Sequence, residues 1–188
     1  MRALHYHEEV KAGLEMKRRF WERDEQIYGG ITLTDLPIAE ISYPSHQMHS
    51  DGPGVLLGAY VYGPHAYAMN SMTPEERLEM VLEQGARIHP QYREEFDNGV
   101  VLSWHRVPWM LGCYSDWDDR GRDYEIAATM DKRLVCAGEH ISYLPGRPRG
   151  SLLSALDAVP QVHDRAVNGR RSVEHHNTPT HTEPDAPL

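Results

Sequence analysis

Residues 54 to 63, Gly-Val-Leu-Leu-Gly-Ala-Tyr-Val-Tyr-Gly, constrain the fold of this chain more than any other stretch. The run is apolar throughout, punctuated by Gly58 and stopped by Gly63-Pro64, and it reads as a central strand of a sheet. A sheet built on such a strand needs a cover. Thr73-Pro74-Glu75-Glu76 supplies the start of one: a capping threonine, proline at the first helical position and glutamate at the third. Leu78, Val81, Leu82 and Gly85 then share one helical face, and His89-Pro90 closes the helix.

Further strands flank this pair. Ile31/Leu33 and Ile41/Tyr43 alternate at period two, and residues 98–109 read as another strand before a Gly/Asp-rich loop. Leu134-Val135-Cys136-Ala137 forms a short apolar strand that runs into Gly138-Glu139-His140. A Pro/Gly/Arg-rich loop follows, and Gly150-Ser151-Leu152 opens an apolar helix. Residues 1 to 28 alternate short apolar and charged groups around Phe20-Trp21. From Asn168 the chain is polar and proline-rich, which predicts a disordered tail over 168–188. The order β-β-β-α-β-loop-β-α predicts a mixed α/β (α+β) layer structure, not a doubly wound sheet. No G-x-G-x-x-G follows a strand, so the dinucleotide fingerprint is absent.

Totals exclude several classes. With 188 residues, 40% of them hydrophobic, a real core is expected. A formal net charge of -9 argues against a nucleic-acid backbone as partner. Cys113 and Cys136 sit among apolar neighbours, have no zinc spacing and read as buried thiols. The first residues lack the apolar core of a signal peptide, and no apolar run approaches the ~20 residues of a membrane span. Compartment stays open. His175, His176 and His181 read as solvated, and Asp116, Asp118 and Asp119 lack calcium-site spacing.

The strand-loop-helix unit near the end suits an anion or a polar cofactor. A helix start offers unpaired N–H groups, Gly150 permits close approach, and Glu139 can accept hydrogen bonds from hydroxyls. The letters are more specific than the architecture. "CAGEHIS…GSLLSALDAV" resembles the C-terminal flavin motif of FAD-dependent amine oxidases, in particular the L-amino-acid oxidases. "RRFWERDEQIYGGITLTDLPIAEISYPSHQ", "GVLLGAYVYGPHA" and "LSWHRVPWMLGCYSDW" resemble three further blocks of that family in the same order. Bacterial members, including the L-glutamate-oxidase type that matures into several chains, are the nearest in pattern.

The resemblance implies a partial amine-oxidase fold. Residues 1–132 would be the substrate-binding part, with 133–167 the FAD-binding strand-loop-helix. Tyr60 matches the tyrosine that binds the substrate carboxylate, Tyr62 a pocket-lining position and Tyr114 a residue over the bound amino acid. Trp104 matches a tryptophan beside the flavin ring, and Gly138 and Glu139 the segment placed against the FAD. Gly146, Arg147, Pro148, Arg149, Gly150 and Ser151 match the loop and helix start around ring and pyrophosphate, with Gly146 and Arg147 also facing substrate. The family carries tryptophan where Arg147 stands, so this guanidinium is expected to turn outward or toward pyrophosphate. Proline at 160 is expected to kink the last helix.

The implied reaction is oxidative deamination: hydride leaves the α-carbon for flavin, and O2 reoxidises the flavin to give H2O2. The imino acid then hydrolyses to a 2-oxo acid and ammonia. No side chain is assigned as catalytic base. In the family the glycine-rich FAD site and the carboxylate-gripping arginine lie earlier than this segment, and "RALHY" begins a helix inside a folded domain. An N-terminal partner chain, and assembly as a hetero- or homo-oligomer, are therefore expected; the same letters also fit a truncated reading frame. An inactive remnant or assembly domain, and a flavin amino-acid monooxygenase, remain alternatives.

Overall fold

The computed structural model describes residues 4–119, 121–129 and 131–175, with side chains to residue 168. Two strands open the chain, β1 (Leu4–Tyr6) and β2 (Glu9–Met16), where the sequence predicts a helix at "RALHY". The reason is the spacing. Val10, Ala12, Leu14 and Met16 are all fully buried, a strict period of two that a helix would scatter over every face.

A short helix α1 (Phe20–Arg23) follows, then β3 (Gly30–Leu33), β4 (Glu40–Tyr43) and β5 (Gly54–Tyr62). Next come α2 (Gly63–Asn70), α3 (Pro74–Ala86), α4 (Tyr92–Glu95) and β6 (Phe96–Ser103), which a 3-10 turn at Trp104–Arg106 ends. The capping box of α3 is fully formed: Thr73 Oγ1 accepts from Glu76 N at 3.2 Å, and Glu76 Oε2 accepts from Thr73 N at 2.7 Å. β7 (Ser115–Trp117), α5 (Arg122–Ala128) and α6 (Pro148–His175) complete the order.

The chain divides into two compact units. Tyr6–Tyr114 holds a five-stranded sheet ordered β3-β4-β5-β2-β6, all pairs antiparallel. β5 is central as expected, and its partner β2 is the strand the sequence reading misses. Their register sets Lys11 opposite Tyr60 and Glu9 opposite Tyr62, and slips by one at Ala12/Gly13, where Gly58 is the extra residue. One face packs beneath α2 and α3 on Leu56, Ala59, Val61 and Ile41. Phe20 and Trp21 lie in this same core, and the neighbouring Arg19 is bound to Glu22 at 2.5 Å and to the carbonyls of Pro44 and His46. So the "RRFWER" block serves packing here.

The other unit takes in the described residues from Ser115 onward with Leu4 and His5. β1 pairs with β7, and a small core gathers Trp117, Tyr124 and Ile141. This division follows packing, whereas a boundary at 132/133 would separate roles. Several expectations change here. Residues 135–137 have no regular structure, and Leu134 makes only an isolated bridge with Asp131, so the expected strand before Glu139 is absent. Cys136 is exposed, not buried, because no strand carries it into a core. α6 starts two residues before Gly150, at Pro148, where a missing N–H is harmless. It continues through Pro160 and past Asn168 to His175, so residues 168–175 are helical and not part of a disordered tail. His176 and His181 lie outside the described residues.

Candidate functional site

Chemistry-bearing side chains gather on the sheet face opposite the helices. Because cross-strand partners point to one side, Glu9, Lys11, Tyr60 and Tyr62 form a block of four. The rings of Tyr60 and Tyr62 are 4.6 Å apart between centroids, and the Lys11 ammonium lies 4.5 Å from the Tyr60 centroid. Tyr114, from the loop after β6, meets Tyr62 edge-on at 6.3 Å and stacks on His7 at 4.5 Å. Thus Tyr60, Tyr62 and Tyr114 come together as one aromatic wall.

Its electrostatics centre on Glu9, which is only 3% exposed. Oε1 of Glu9 lies 2.8 Å from Lys11 Nζ, an ion-pair contact that lacks hydrogen-bond alignment. Burial pulls the Lys11 ammonium down, but Glu9 and the Tyr60 hydroxyl outweigh it, and its pKa stands above the ordinary lysine value. Burial, then the bond to Tyr60 and the negative charge of Glu9, raises the Tyr62 phenol. The Cys113 thiol is pushed up to about 12 by burial and by the Glu9 carboxylate. The cluster therefore sets the Lys11 ammonium, paired with the Glu9 carboxylate, against the ring of Tyr60 and beside a Tyr62 phenol that stays protonated at neutral pH. Such a surface can receive a carboxylate at Lys11 and Tyr60 and an apolar body against the rings. Lys11 and Glu9 are absent from the sequence reading; the period-two pattern of β2, seen beside that of β5, would have exposed them.

In the other unit, Glu139 opens a 3-10 turn at Glu139–Ile141 instead of ending a strand. One of its oxygens, Oε2, accepts from Ser115 N at 3.3 Å, Ser115 Oγ at 3.0 Å and Gly146 N at 2.9 Å. Among the described residues no donor reaches Oε1. Gly146 turns the loop with φ 66°, a left-handed conformation that glycine adopts without strain. Gly150 permits the tightest approach: a Cβ there would stand 2.2 Å from the Leu144 carbonyl oxygen. Ser154 latches the segment to α6, its Oγ accepting from Gly138 N at 2.8 Å and lying 2.9 Å from Gly138 O. Arg147, Pro148 and Arg149 are exposed at the start of α6, and Ser151 is half-buried. First-turn N–H groups of a helix lack intrahelical acceptors, so this end can bind an anion. Trp104, half-buried, opens the 3-10 turn after β6 in the first unit. Among the described residues no group of three or more His, Cys, Asp or Glu could hold a metal ion.

An antiparallel sheet unit with an aromatic, lysine-bearing face, and a glycine-tightened loop feeding a long helix, are compatible with a segment of a flavin-dependent amine oxidase. The model of the flavin containing amine oxidoreductase family matches residues 1–163, and the chain belongs to that family. Its cofactor is FAD. An L-amino-acid oxidase of Siganus canaliculatus is 29% identical over 172 residues, covering 89% of this chain and 32% of that protein. The flavin-dependent L-tryptophan oxidase RebO of Lentzea aerocolonigenes is 30% identical over 175 residues, covering 88% of this chain and 36% of the relative. The chain thus spans about a third of the relatives it matches. Among solved structures, wild-type putrescine oxidase bound to putrescine superposes with TM-score 0.64 at 18% identity, over 91% of this chain and 36% of that one. The fold is a partial amine-oxidase fold, mixed α and β.

The residues present fit a flavin nucleotide on one side only. The spare Glu139 oxygen can take a hydroxyl, and the exposed start of α6 with Arg147 and Arg149 can take a phosphate.

Proposed function

We propose that this chain supplies the substrate-facing sheet and one FAD-facing segment of an L-amino-acid oxidase, working with an N-terminal chain that carries the glycine-rich FAD site. The observation that carries this reading is the lysine–tyrosine face of β2 and β5 in a chain of the flavin amine oxidoreductase family. Substrate is an L-amino acid, and products are the 2-oxo acid, ammonia and H2O2. Bound FAD would supply the hydride-accepting chemistry at the α-carbon, with O2 as the final oxidant.

The chain's own residues have three tasks. Tyr60 Oη donates to the substrate carboxylate, with the Lys11 charge beside it. Tyr62 and Tyr114 wall the side-chain pocket and exclude water, and His7 holds the Tyr114 ring by stacking. Residues 133–167 contact the cofactor: Glu139 through Oε1, and Gly146 to Ser151 through the loop and helix start. By the family resemblance Trp104 in the sheet unit would contact the flavin, and Gly138 would contact it from the segment before Glu139. Arg147, exposed before α6, faces solvent or pyrophosphate, which avoids setting a cation beside the substrate amine.

The deciding experiment co-expresses this chain with its N-terminal partner. The pair should purify yellow, and the lone chain colourless. In the assembled enzyme Tyr60→Phe loses one bond to a charged group, about 1.5–3 kcal/mol, or tenfold to a hundredfold in kcat/KM, with flavin content unchanged. Stoichiometric flavin on the lone chain would refute the need for a partner; unaltered kinetics in Tyr60→Phe would refute the carboxylate assignment.

A further inference from the structure

Between the start of α3, the end of β6 and the turn after it lies a cavity of about 540 Å3, formed by residues outside the tyrosine cluster. Two arginines line it. Arg77 is 5% exposed, yet among the described residues no carboxylate forms an ion pair with it. Its Nε and Nη2 both donate to the Met72 carbonyl, at 3.3 and 3.1 Å, which fixes the plane of the guanidinium and leaves Nη1 without an acceptor among the described residues. Arg106 is held in the same way, Nη1 donating to the Asn70 carbonyl at 2.7 Å. Burial, and then the charge of Arg106, holds Arg77 below the ordinary arginine value, with Glu75 opposing weakly.

Burying the Arg77 guanidinium without a counter-charge is costly, and the positive charge of the exposed Arg106 nearby adds to that cost. Neither nearby glutamate removes that cost. Glu76 is committed to the capping box through Thr73 N, and Glu75 is exposed on the first turn of α3. Both guanidiniums keep N–H groups for an acceptor, and a fork of this kind matches the oxygens of a phosphate or carboxylate. Of the hydroxyls on the wall, those of Ser71 and Ser103 already donate to Ala68 O and Asn70 Oδ1, which leaves Thr73 Oγ1 as a donor to an anion, while Val101 and Val107 add an apolar part. The space exceeds a single anion group and has room for an organic body attached to it.

We propose that this cavity is a binding site for a small oxyanionic metabolite, whose phosphate or carboxylate head lies between Arg77 and Arg106. The site uses none of the residues assigned to the substrate carboxylate, although Arg106 shares the 3-10 turn that opens with Trp104. Its test titrates the full 188-residue chain with inorganic phosphate and, separately, with succinate, at constant ionic strength, by calorimetry and thermal melting. Saturable binding of either probe is expected, weakened at least tenfold in Arg106→Gln and in Arg77→Gln. Arg106 is exposed, so its variant keeps the test decisive even if Arg77→Gln does not fold. Which probe binds identifies the head group. No saturable binding of either, or binding unchanged in Arg106→Gln, would overturn the proposal.

Discussion

The two units differ in how they use apolar surface. Tyr6–Tyr114 closes on itself: Val10, Leu14, Phe20, Trp21, Leu56 and Met69 are all fully buried between one sheet face and its helices. The unit from Ser115 onward has a core of three buried residues, and its long helix leaves Leu152, Leu156 and Val159 exposed at 68%, 69% and 64%. These three recur at helical spacing along one stripe. At about 25 cal/mol per Å2, apolar area still in contact with water contributes nothing to folding. The first unit is held from within, and the second is held by a few polar latches. Deleting core volume should damage the former most, and deleting single hydrogen bonds the latter.

The largest expected effect is Trp21→Ala, which opens a fully enclosed site and should cost about 3–5 kcal/mol. Urea unfolding followed by circular dichroism reads it directly. Amide exchange should accelerate across β2 and β5 while α6 stays as it was; uniform acceleration would show that the units unfold as one. Ser154→Ala comes next. It strands the Gly138 N–H, which Ser154 Oγ accepts, about 1–3 kcal/mol of local stability, seen as faster exchange at Gly138 with β2 unchanged. Thr73→Ala should cost about 1 kcal/mol, since it removes one cap from a helix already anchored by Val81 and Leu82.

The smallest effect is a pH slope in the first unit. His89 is buried, and its Nε2 lies 2.6 Å from Tyr43 Oη. Burial lowers its pKa, and Glu25 only partly opposes this. The folded form therefore holds neutral imidazole. Its contribution is complete above the ordinary value of about 6.5 and is lost as pH falls below that toward the lower folded pKa. Between pH 7 and pH 5 the wild type should lose more stability than His89→Gln; equal slopes would mean that another group titrates.

The same contrast explains what could be read from the letters. β5 and the capped helix α3 were legible because run length, proline position and the Thr-x-x-Glu pair are local signals. Residues 9–16 carry as clean an alternation as any strand, but Glu9, Lys11 and Glu15 stand at the open-face positions and mask it as a charged segment. Lys11 consequently went unnoticed although Tyr60, its cross-strand partner, was legible. The strand expected at Leu134–Ala137 failed for the opposite reason: four apolar letters in a row say nothing about a pairing partner, and there only Asp131 meets Leu134. Pro160 left α6 unbroken because proline interrupts hydrogen bonding locally while the helix continues on both sides.

The two cysteines turn this architecture into a chemical clock. Cys136 is exposed, whereas the Cys113 thiol is pushed up to about 12 beside Glu9, so roughly one molecule in ten thousand carries a Cys113 thiolate at pH 8. A maleimide or iodoacetamide pulse should mark Cys136 first and the half-buried Cys113 far more slowly. The ratio of the two adducts in a mass spectrum would then record, without any engineered probe, how strongly the surroundings of Glu9 hold the Cys113 thiol protonated.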